Sequence, residues 1–179
     1  MLEMLQKRRS TRQFQDRKIE DDKRVQLLEA VLRAPSSRGR NPWEFVVIDD
    51  PETLQALSTA KANGAGFLAG APLAVAITAD PEICDVWIED CAIAAITLQY
   101  TAEALGLGSC WAQLRLRENS TGEDAETGAR QALGLPERFR VPCIIGLGYP
   151  AQELCGHSRQ DLPWQKLHAG RYGTKLEVE

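Results

Sequence analysis

Arginine and serine are concentrated near the N-terminus of this chain, at Arg8, Arg9, Ser10 and Arg12. A guanidinium group is a planar fork of donors that suits phosphate oxygens, and a serine hydroxyl can add a hydrogen bond. The cluster therefore predicts a phosphate-binding site. Taken alone, such a cluster is more often a solvated helix end, and a basic arm for nucleic acid is a third interpretation. The nucleic-acid interpretation lacks interleaved aromatic residues and a second basic surface.

Two later segments have the composition of a site for a flat ligand. Residues 34–43, APSSRGRNPW, put small hydroxyl residues directly after a predicted helix, where a ring can approach the backbone. The commoner use of Pro-Ser-Ser is a turn that ends a helix. Residues 106–111, GLGSCW, join glycines to an aromatic residue, and His157 and Arg159 supply a further basic point. Together with the N-terminal cluster, these segments predict a flat, phosphorylated ligand, for which flavin mononucleotide (FMN) is the best candidate.

Motifs for other kinds of site are missing from the sequence. There is no P-loop, no H-E-x-x-H and no G-x-S-x-G. The five cysteines and two histidines have no zinc-site spacing, so no metal site is predicted. Residues 146–151 fit G-x-G-x-x-A, but no predicted helix follows to hold a pyrophosphate. A chain with anion-binding and ring-binding segments but no evident acid, base or nucleophile is typical of an enzyme whose cofactor carries the chemistry.

Composition limits the class of protein further. The chain has 179 residues, 44% of them hydrophobic, and a net charge of -4. This is enough apolar surface for one domain, predicted to span residues 1–179, and the charge argues against a general affinity for nucleic acid or anionic membranes. Charged residues interrupt the longest apolar segment, so no membrane span is predicted. An odd number of cysteines without C-x-x-C spacing, and an N-terminus without an apolar signal segment, favour a cytoplasmic protein.

The periodicity of apolar residues predicts an α+β fold with a mixed central β-sheet flanked by helices. The helix predicted over residues 85–105 is apolar on most faces, so it must be buried in a core or an interface. A second helix, with Asp21 or Asp22 as its cap, carries Val25, Leu28 and Leu32 on one face, with Leu27 and Val31 beside them. Strands are predicted at residues 45–48, 73–78, 109–114 and 141–147, and further helices at 2–9, 51–60 and 123–133.

Taken in order along the chain, these segments resemble the FMN-dependent nitroreductase family. The resemblance extends from Leu5 to about Gly173 and is carried by R-R-S-x-R, by A-P-S-S followed by N-P-W, and by Glu89-Asp90 at the start of the long helix. It continues with G-L-G-S-C-W, with a strand ending in G-x-G-Y-P, and with His168 before R-Y-G. Each motif alone is weak, and their order and spacing together are specific.

The resemblance implies an interlocked homodimer in which the long helix forms much of the interface. It also implies an oxidoreductase that passes electrons from NADH or NADPH through flavin N5 to a nitroaromatic, quinone or similar acceptor. Because the sequence contains no separate dinucleotide fingerprint, donor and acceptor are expected to use one flavin face in turn, by a ping-pong mechanism. The alternatives are a flavin-binding or flavin-storage protein with little turnover, and a relative with other flavin chemistry, either reductive dehalogenation or flavin fragmentation.

The same resemblance assigns residues to the flavin. The phosphate and the ribityl chain would be held by basic and hydroxyl side chains near both ends of the chain, namely Arg8, Arg9, Ser10, Arg12, His157 and Arg159. The isoalloxazine ring would lie against a loop of the partner subunit that comprises Pro35, Ser36, Ser37, Arg38 and Asn41. The ring edge near N5 and O4 would be bordered by Cys110, Trp111, Ala112 and Gln113, chiefly through the backbone, with Asn63 as a weaker candidate. No side chain is assigned as a catalytic acid, base or nucleophile, because flavin N5 carries the chemistry.

The chain departs from the family pattern at four positions. Asn is frequent where this chain has Gly39, and Gln where it has Asn41. Lys is frequent where it has His157, so a histidine contact with the phosphate would depend on pH. Gly is usual where Gln113 stands. A side chain at this last position narrows the space near N5, which affects the range of acceptors.

Overall fold

The predicted helices and strands are all present in a computed structural model that describes residues 1–177 of the chain. The helices are α1 (Leu2–Lys7), α2 (Asp21–Leu32), α3 (Pro51–Ser58), α4 (Trp87–Ala104) and α5 (Ala125–Ala132). The strands are β1 (Trp43–Ile48), β2 (Leu73–Ala79), β3 (Gly108–Gln113) and β4 (Arg140–Gly148). Short 3₁₀ helices lie at Ser37–Gly39, Gly66–Gly70, Arg159–Asp161 and Trp164–Lys166. The ends of the elements differ from their predicted positions by a few residues.

The four strands form one antiparallel sheet in the order β1-β2-β4-β3. The prediction of a mixed sheet is therefore wrong for these strands. Helices α3 and α5 each return the chain to the end of the sheet that it left. They therefore join antiparallel neighbours. Within residues 1–177 the parallel pairing is limited to one isolated bridge between the N-terminal segment and β3.

Local sequence decides where the helices begin. Asp50 caps α3 by accepting a hydrogen bond from the Thr53 amide at 2.8 Å. By contrast, α2 has Glu20 at its cap position and no side-chain cap bond. The predicted capping by Asp21 or Asp22 is therefore wrong. Both aspartates lie in the first turn, where their negative charge favours the N-terminal end of the helix.

The sheet is buried on both faces. One face packs against α2 and α4, and the other packs against α3 and α5. Helix α2 buries Leu27 and Val31, whereas Val25 and Leu32, predicted to face the core, are 61% and 63% exposed. The apolar stripe of α2 is wider than the surface that the sheet covers. Leu32 instead borders an open apolar groove beside β1.

Helix α4 has apolar side chains on two faces, and the sheet covers only one of them. Towards the sheet it buries Cys91, Ala94, Ala95, Leu98 and Ala102. On the opposite face, Ile93 is 38% exposed, and Ile96 and Tyr100 are half-buried. This agrees with the prediction of a helix that is apolar on most faces. No helix within residues 1–177 has the length and hydropathy to cross a membrane.

Residues 150–177 form an extended C-terminal arm in which no residue is buried. The arm begins in close contact with α1, because a Cβ on Gly156 would lie 1.5 Å from the Gln6 carbonyl oxygen. Beyond this point it exposes five large apolar side chains, namely Leu162, Trp164, Leu167, Tyr172 and Leu176. A single chain therefore leaves most of the arm uncovered.

A cluster around Tyr149 fixes the end of β4. The Tyr149 hydroxyl donates to Glu20 Oε2 at 2.6 Å and accepts from Lys23 Nζ at 2.8 Å, while Arg17 lies over the ring. The hydrogen bond from Tyr149, with smaller contributions from the backbone and Arg17, lowers the pKa of Glu20 to about 2. The Tyr149 carbonyl accepts from the Gln15 amide at 2.9 Å. The tyrosine of the G-x-G-Y-P motif therefore anchors the end of the N-terminal segment.

Candidate functional site

The N-terminal segment lies along the free edge of β3. Ser10 forms the isolated parallel bridge with Ser109, and the Thr11 amide donates to the Ser109 carbonyl at 2.9 Å. This close contact requires a glycine in the strand, because a Cβ on Gly108 would lie 2.4 Å from Thr11 Oγ1. The second glycine of G-L-G-S-C-W thus lets the basic segment pack against the sheet.

Side chains of this segment alternate between two sides, as expected for extended chain. Arg8 and Arg12 both act electrostatically on Cys110, whose side chain lies in the core beneath α3 and α5. Arg9 turns to the other side and donates to the Cys155 carbonyl of the C-terminal arm at 3.0 Å. Arg8 and Arg12 therefore both act on the Cys110 side of the segment, whereas the Arg9 guanidinium bonds to the C-terminal arm.

The charged groups that act on the Cys110 thiol within residues 1–177 are all cationic. Burial raises the pKa of this thiol, and Arg12, Arg8 and Lys61 act in the opposite direction. Burial also lowers the pKa of Lys61, with a further contribution from Arg117. Arg8 also acts on the carboxyl group of Glu103. Three cations that act on one point suit a phosphate dianion.

Sequence reasoning misses Lys61 as a member of this cluster. Lys61 is half-buried in the turn after α3, two residues before the exposed Asn63. A signal was available, since this turn contains a basic residue close to a candidate ring-edge residue and no acidic residue. The turn comes within reach of β3 only through the packing of α3 on the sheet, which the local sequence does not show.

The loop of residues 35–42 is held mainly by its own polar groups. The Ser36 hydroxyl donates to Asn41 Oδ1 at 2.6 Å and accepts from the Asn41 amide at 3.0 Å. The Ser37 amide donates to Asp90 Oδ1 at 2.8 Å. The side chains of Ser36 and Asn41 are therefore hydrogen-bonded to each other. A ligand would meet the backbone and the remaining side chains of the loop, including the exposed Pro35.

Three residues of this loop have left-handed backbone. The φ angle is 54° at Arg38, 65° at Gly39 and 48° at Asn41. Glycine adopts this conformation freely and asparagine more readily than most residues, but arginine is strained there. Arg38 and Arg40 are both exposed.

Asp90 joins this loop to α4. The residue is 2% exposed, and it accepts from Ser37 through Oδ1 while Oδ2 has no hydrogen-bond partner within residues 1–177. The indole N–H of Trp43, at the start of β1, is also buried without a partner in this range. Ser37 and Asp90 are 53 residues apart in the chain, so the sequence marks Asp90 only as part of a motif. Its contact with the loop gives it a positioning role.

Trp111 and Gln113 lie on the same face of β3. Trp111 Nε1 donates to Gln113 Oε1 at 2.9 Å, and Gln113 Nε2 donates to the Arg115 carbonyl at 3.1 Å. The Gln113 side chain is therefore held along the strand and orients the indole, while the Ala112 side chain is buried in the core. The Ser109 carbonyl points to the free edge of β3, where it accepts from Thr11. In a strand the backbone groups of every second residue point the same way, so the N–H and C=O of Trp111 and Gln113 also point to this free edge.

The loop and the basic segment lie at opposite corners of the sheet. The loop leads into Trp43 at one edge, whereas the segment meets β3 beside Gly108 at the other edge. Three strand spacings, about 14 Å, separate these edges. The strand registers also place Trp43 and Gly108 at opposite ends of the sheet. One chain therefore holds its loop and its basic segment apart.

The C-terminal candidate residues lie on the arm. His157 is exposed. The Arg159 guanidinium lies over the Trp164 ring, 5.1 Å from its centroid, and Trp164 Nε1 donates to the Arg159 carbonyl at 2.9 Å. These contacts fix Arg159 relative to Trp164, and the assignment of His157 and Arg159 to a phosphate stays a prediction.

Comparison with known proteins identifies the family of the chain. The model of the Nitroreductase family matches residues 5–65 and 55–149. The chain belongs to the nitroreductase family. This confirms the resemblance carried by the sequence motifs. A protein from Archaeoglobus fulgidus, assigned as an NADH dehydrogenase/NAD(P)H nitroreductase, is 35% identical over 156 residues, which cover 85% of this chain and 86% of the relative. A protein from Thermus thermophilus named NADH dehydrogenase is 29% identical over 189 residues, covering 90% of this chain and 91% of that protein.

Solved structures of nitroreductases have the same fold. An FMN-dependent nitroreductase from Clostridium difficile R20291 superposes with a TM-score of 0.94 at 43% identity, over 96% of this chain and 100% of that chain. An NADPH:FMN oxidoreductase from Vibrio harveyi, solved in complex with NAD+, has a TM-score of 0.79 at 22% identity, over 99% of this chain and 79% of that chain. The nitroreductase-like fold is therefore confirmed, with an antiparallel sheet.

The residues of this nitroreductase-family chain fit FMN by the chemistry of their donors. Arg8, Arg12 and Lys61 all act as cations on the Cys110 thiol, which suits a phosphate beside it. The free edge of β3 offers the backbone groups of Trp111 and Gln113 next to this set, and such groups can bond the polar edge of a flat ring.

Proposed function

We propose that this chain is a single-domain FMN-dependent oxidoreductase that uses NADH or NADPH. When bound, FMN supplies the redox chemistry, in which N5 accepts a hydride from the nicotinamide and the electrons pass to a nitroaromatic, quinone or similar acceptor. The observation that carries this proposal is the basic segment Arg8–Arg12 paired along the free edge of β3 through Ser10 and Thr11, in a chain of the nitroreductase family. The five cysteines are free thiols, which supports a cytoplasmic location.

The chain's own residues bind and orient the cofactor. The segment Arg8–Arg12 holds the phosphate and the ribityl chain through charge-assisted hydrogen bonds, and Lys61 adds positive charge beside it. The backbone of Trp111 and Gln113 borders the ring at the free edge of β3. The Gln113 side chain keeps the Trp111 indole in one orientation.

The working unit is an interlocked homodimer in which two subunits share each flavin site. Within one chain the loop of residues 35–42 is too far from the segment Arg8–Arg12, so the loop serves the partner's flavin. Three uncovered apolar surfaces support this arrangement, namely the second face of α4, the groove beside β1 and the arm of residues 150–177. Sedimentation velocity should give a dimer at all practical concentrations. A stable FMN-bound monomer would contradict the sharing of the site.

Donor and acceptor use this site in turn. Each has to bring its reacting atom within about 3 to 3.5 Å of the same flavin atom, and the sequence contains no second dinucleotide motif. Initial rates at several fixed acceptor concentrations should therefore give parallel lines in double-reciprocal plots. Converging lines would reveal a ternary complex and contradict the ping-pong mechanism.

The function is tested most simply by colour. The purified protein should be yellow and should release FMN, not FAD, when it is denatured. Anaerobic addition of NADH or NADPH should bleach the visible band, and an acceptor should restore it. A yellow protein that neither nicotinamide bleaches would be a flavin-storage protein, and a colourless protein that fails to take up FMN would contradict the proposal as a whole.

A further inference from the structure

The loop of residues 35–42 carries two arginines and no acidic residue. Arg38 and Arg40 are exposed, and neither takes part in an ion pair within residues 1–177. Arg33, just before the loop, is instead paired with Glu29 at 2.7 Å. The loop therefore presents two positive charges whose balancing anion is not supplied by the described part of the chain.

Several other polar groups of the loop are already occupied. The Ser36 hydroxyl bonds to Asn41, and the Ser37 amide bonds to Asp90. The guanidinium groups of Arg38 and Arg40 are thus the strongest donors that the loop offers outwards. Arg38 also keeps a left-handed backbone, with φ of 54°, where glycine or asparagine would avoid strain. A strained residue that is held in place by its surroundings is a reason to look for a binding role.

The charge of FMN does not account for these two arginines. A phosphate monoester carries about -1.5 to -2 charges at neutral pH, and in the proposed site Arg8, Arg12 and Lys61 supply positive charge for it. Arg38 and Arg40 belong to the loop, which reaches the site from the other subunit and faces the ring end of the cofactor. The anion that they meet therefore belongs to a molecule that comes to the ring.

We propose that Arg38 and Arg40 recognise an oxyanion, either a phosphate or a carboxylate, on the substrate that exchanges electrons with the cofactor. This inference rests on the proposed function, because the substrate must share the flavin site. Two sources carry the required group. One is the 2′-phosphate that distinguishes NADPH from NADH, and the other is a carboxylate on the electron acceptor.

Matched substrate pairs separate these two sources. NADPH is compared with NADH, and 4-nitrobenzoate with 4-nitrobenzamide, by kcat/KM in the wild-type holoenzyme. The same pairs are measured in Arg38→Asn, which tolerates the left-handed backbone, in Arg40→Gln, and in the double variant. Arg33→Gln is the control, because Arg33 is close in sequence and has its own acidic partner. Calorimetric binding of NADP+ and NAD+, perturbation of the flavin spectrum by the two nitro compounds, and FMN content provide readouts besides activity.

The wild-type protein should prefer the charged member of one pair by about tenfold or more, as expected for charge-assisted hydrogen bonds. The double variant should lose this preference in both kinetics and binding while it keeps its FMN, and added salt should weaken the preference in the wild type. The pair that responds identifies the source. No preference in either pair, or an undiminished preference in the double variant, would overturn the inference. Loss of FMN from the double variant would also overturn it, since the arginines would then hold the cofactor. A colourless wild-type protein would contradict the proposed function itself.

Discussion

Two basic regions of this molecule combine arginine with serine but are held in different ways. The segment Arg8–Arg12 is extended and takes its geometry from β3, so its side chains alternate and the strand decides which of them face the site. The loop of residues 35–42 is left-handed at three positions and is held by its own serine and asparagine and by Asp90. The same residue types can therefore bind a ligand in one region and hold the backbone of a loop in another. Their roles follow from backbone context and not from composition.

The largest expected effect separates two arginines of the segment. Arg12→Glu should weaken FMN binding by roughly 100-fold or more, because it replaces a charge-assisted contact by repulsion of a phosphate. Arg9→Glu is the matched control and should weaken FMN binding by less than about tenfold, since Arg9 faces the Cys155 carbonyl. FMN titration of the apoproteins measures both changes. Equal losses of FMN affinity in the two variants would show that the side chains of Arg9 and Arg12 do not point to different sides of the segment.

The position of the loop of residues 35–42 should depend on Asp90, which lies outside the loop. Asp90→Ala removes the acceptor of the Ser37 amide, so it should cost about 1 to 3 kcal/mol of stability and lower kcat by at least about tenfold, while FMN stays bound to the segment. Asp90→Asn keeps an acceptor oxygen and should recover most of kcat. Glu89→Gln, in the same first turn but exposed, is the control. If Asp90→Asn were as impaired in kcat as Asp90→Ala, a positioning role through this hydrogen bond would be wrong.

A smaller effect is expected where the cofactor ring meets β3. Gln113→Gly frees the Trp111 indole and opens space beside the strand edge. The variant should broaden the range of acceptors, with changes in kcat/KM of about tenfold or less, as expected for one hydrogen bond. FMN affinity should change less than acceptor preference. Loss of folded protein without a change in acceptor preference would show that Gln113 serves only to pack the tryptophan.

The smallest effect concerns the anchor of the basic segment. Because the pKa of Glu20 is lowered from its usual 4.5 to about 2 in the folded protein, its contribution to stability is complete above about pH 4.5 and is lost as the pH falls towards 2. Tyr149→Phe removes the main cause of this shift, so the melting temperature should depend less on pH within this range. Thermal unfolding of both proteins from pH 6 to pH 2.5 measures the difference. Identical pH dependence in the two proteins would contradict the role given to Tyr149.

The sequence predicts the elements well because their signals are local. The apolar run of β2, the Asp50 cap with Pro51 at the start of α3, and the apolar faces of α4 can all be recognised within a few residues. Strand pairing is not local, and the sheet that was predicted to be mixed is antiparallel.

In the candidate site, too, contacts between distant parts of the chain cannot be predicted from local sequence. The clusters at Arg8–Arg12 and in the loop are visible as composition, and their motifs led to the correct family. Lys61 and Asp90 act through contacts with residues far away in the chain, and neither the basic turn at Lys61 nor the Glu89-Asp90 motif reveals those contacts. The turn of Arg9 away from Arg8 and Arg12 depends on where the segment meets β3.

In the proposed dimer the segment of one subunit and the loop of its partner form one site. Mixed dimers test this sharing of the site most directly. Arg12→Glu and Asp90→Ala proteins are unfolded together, refolded with FMN and assayed, with each variant refolded alone as the control. In a two-fold symmetric dimer, random reassociation should leave about a quarter of the sites with both an intact segment and an intact loop. The mixture should regain activity up to about this fraction, although each variant alone has little. If the mixture is no more active than the average of the two variants, the segment and the loop do not act together across subunits.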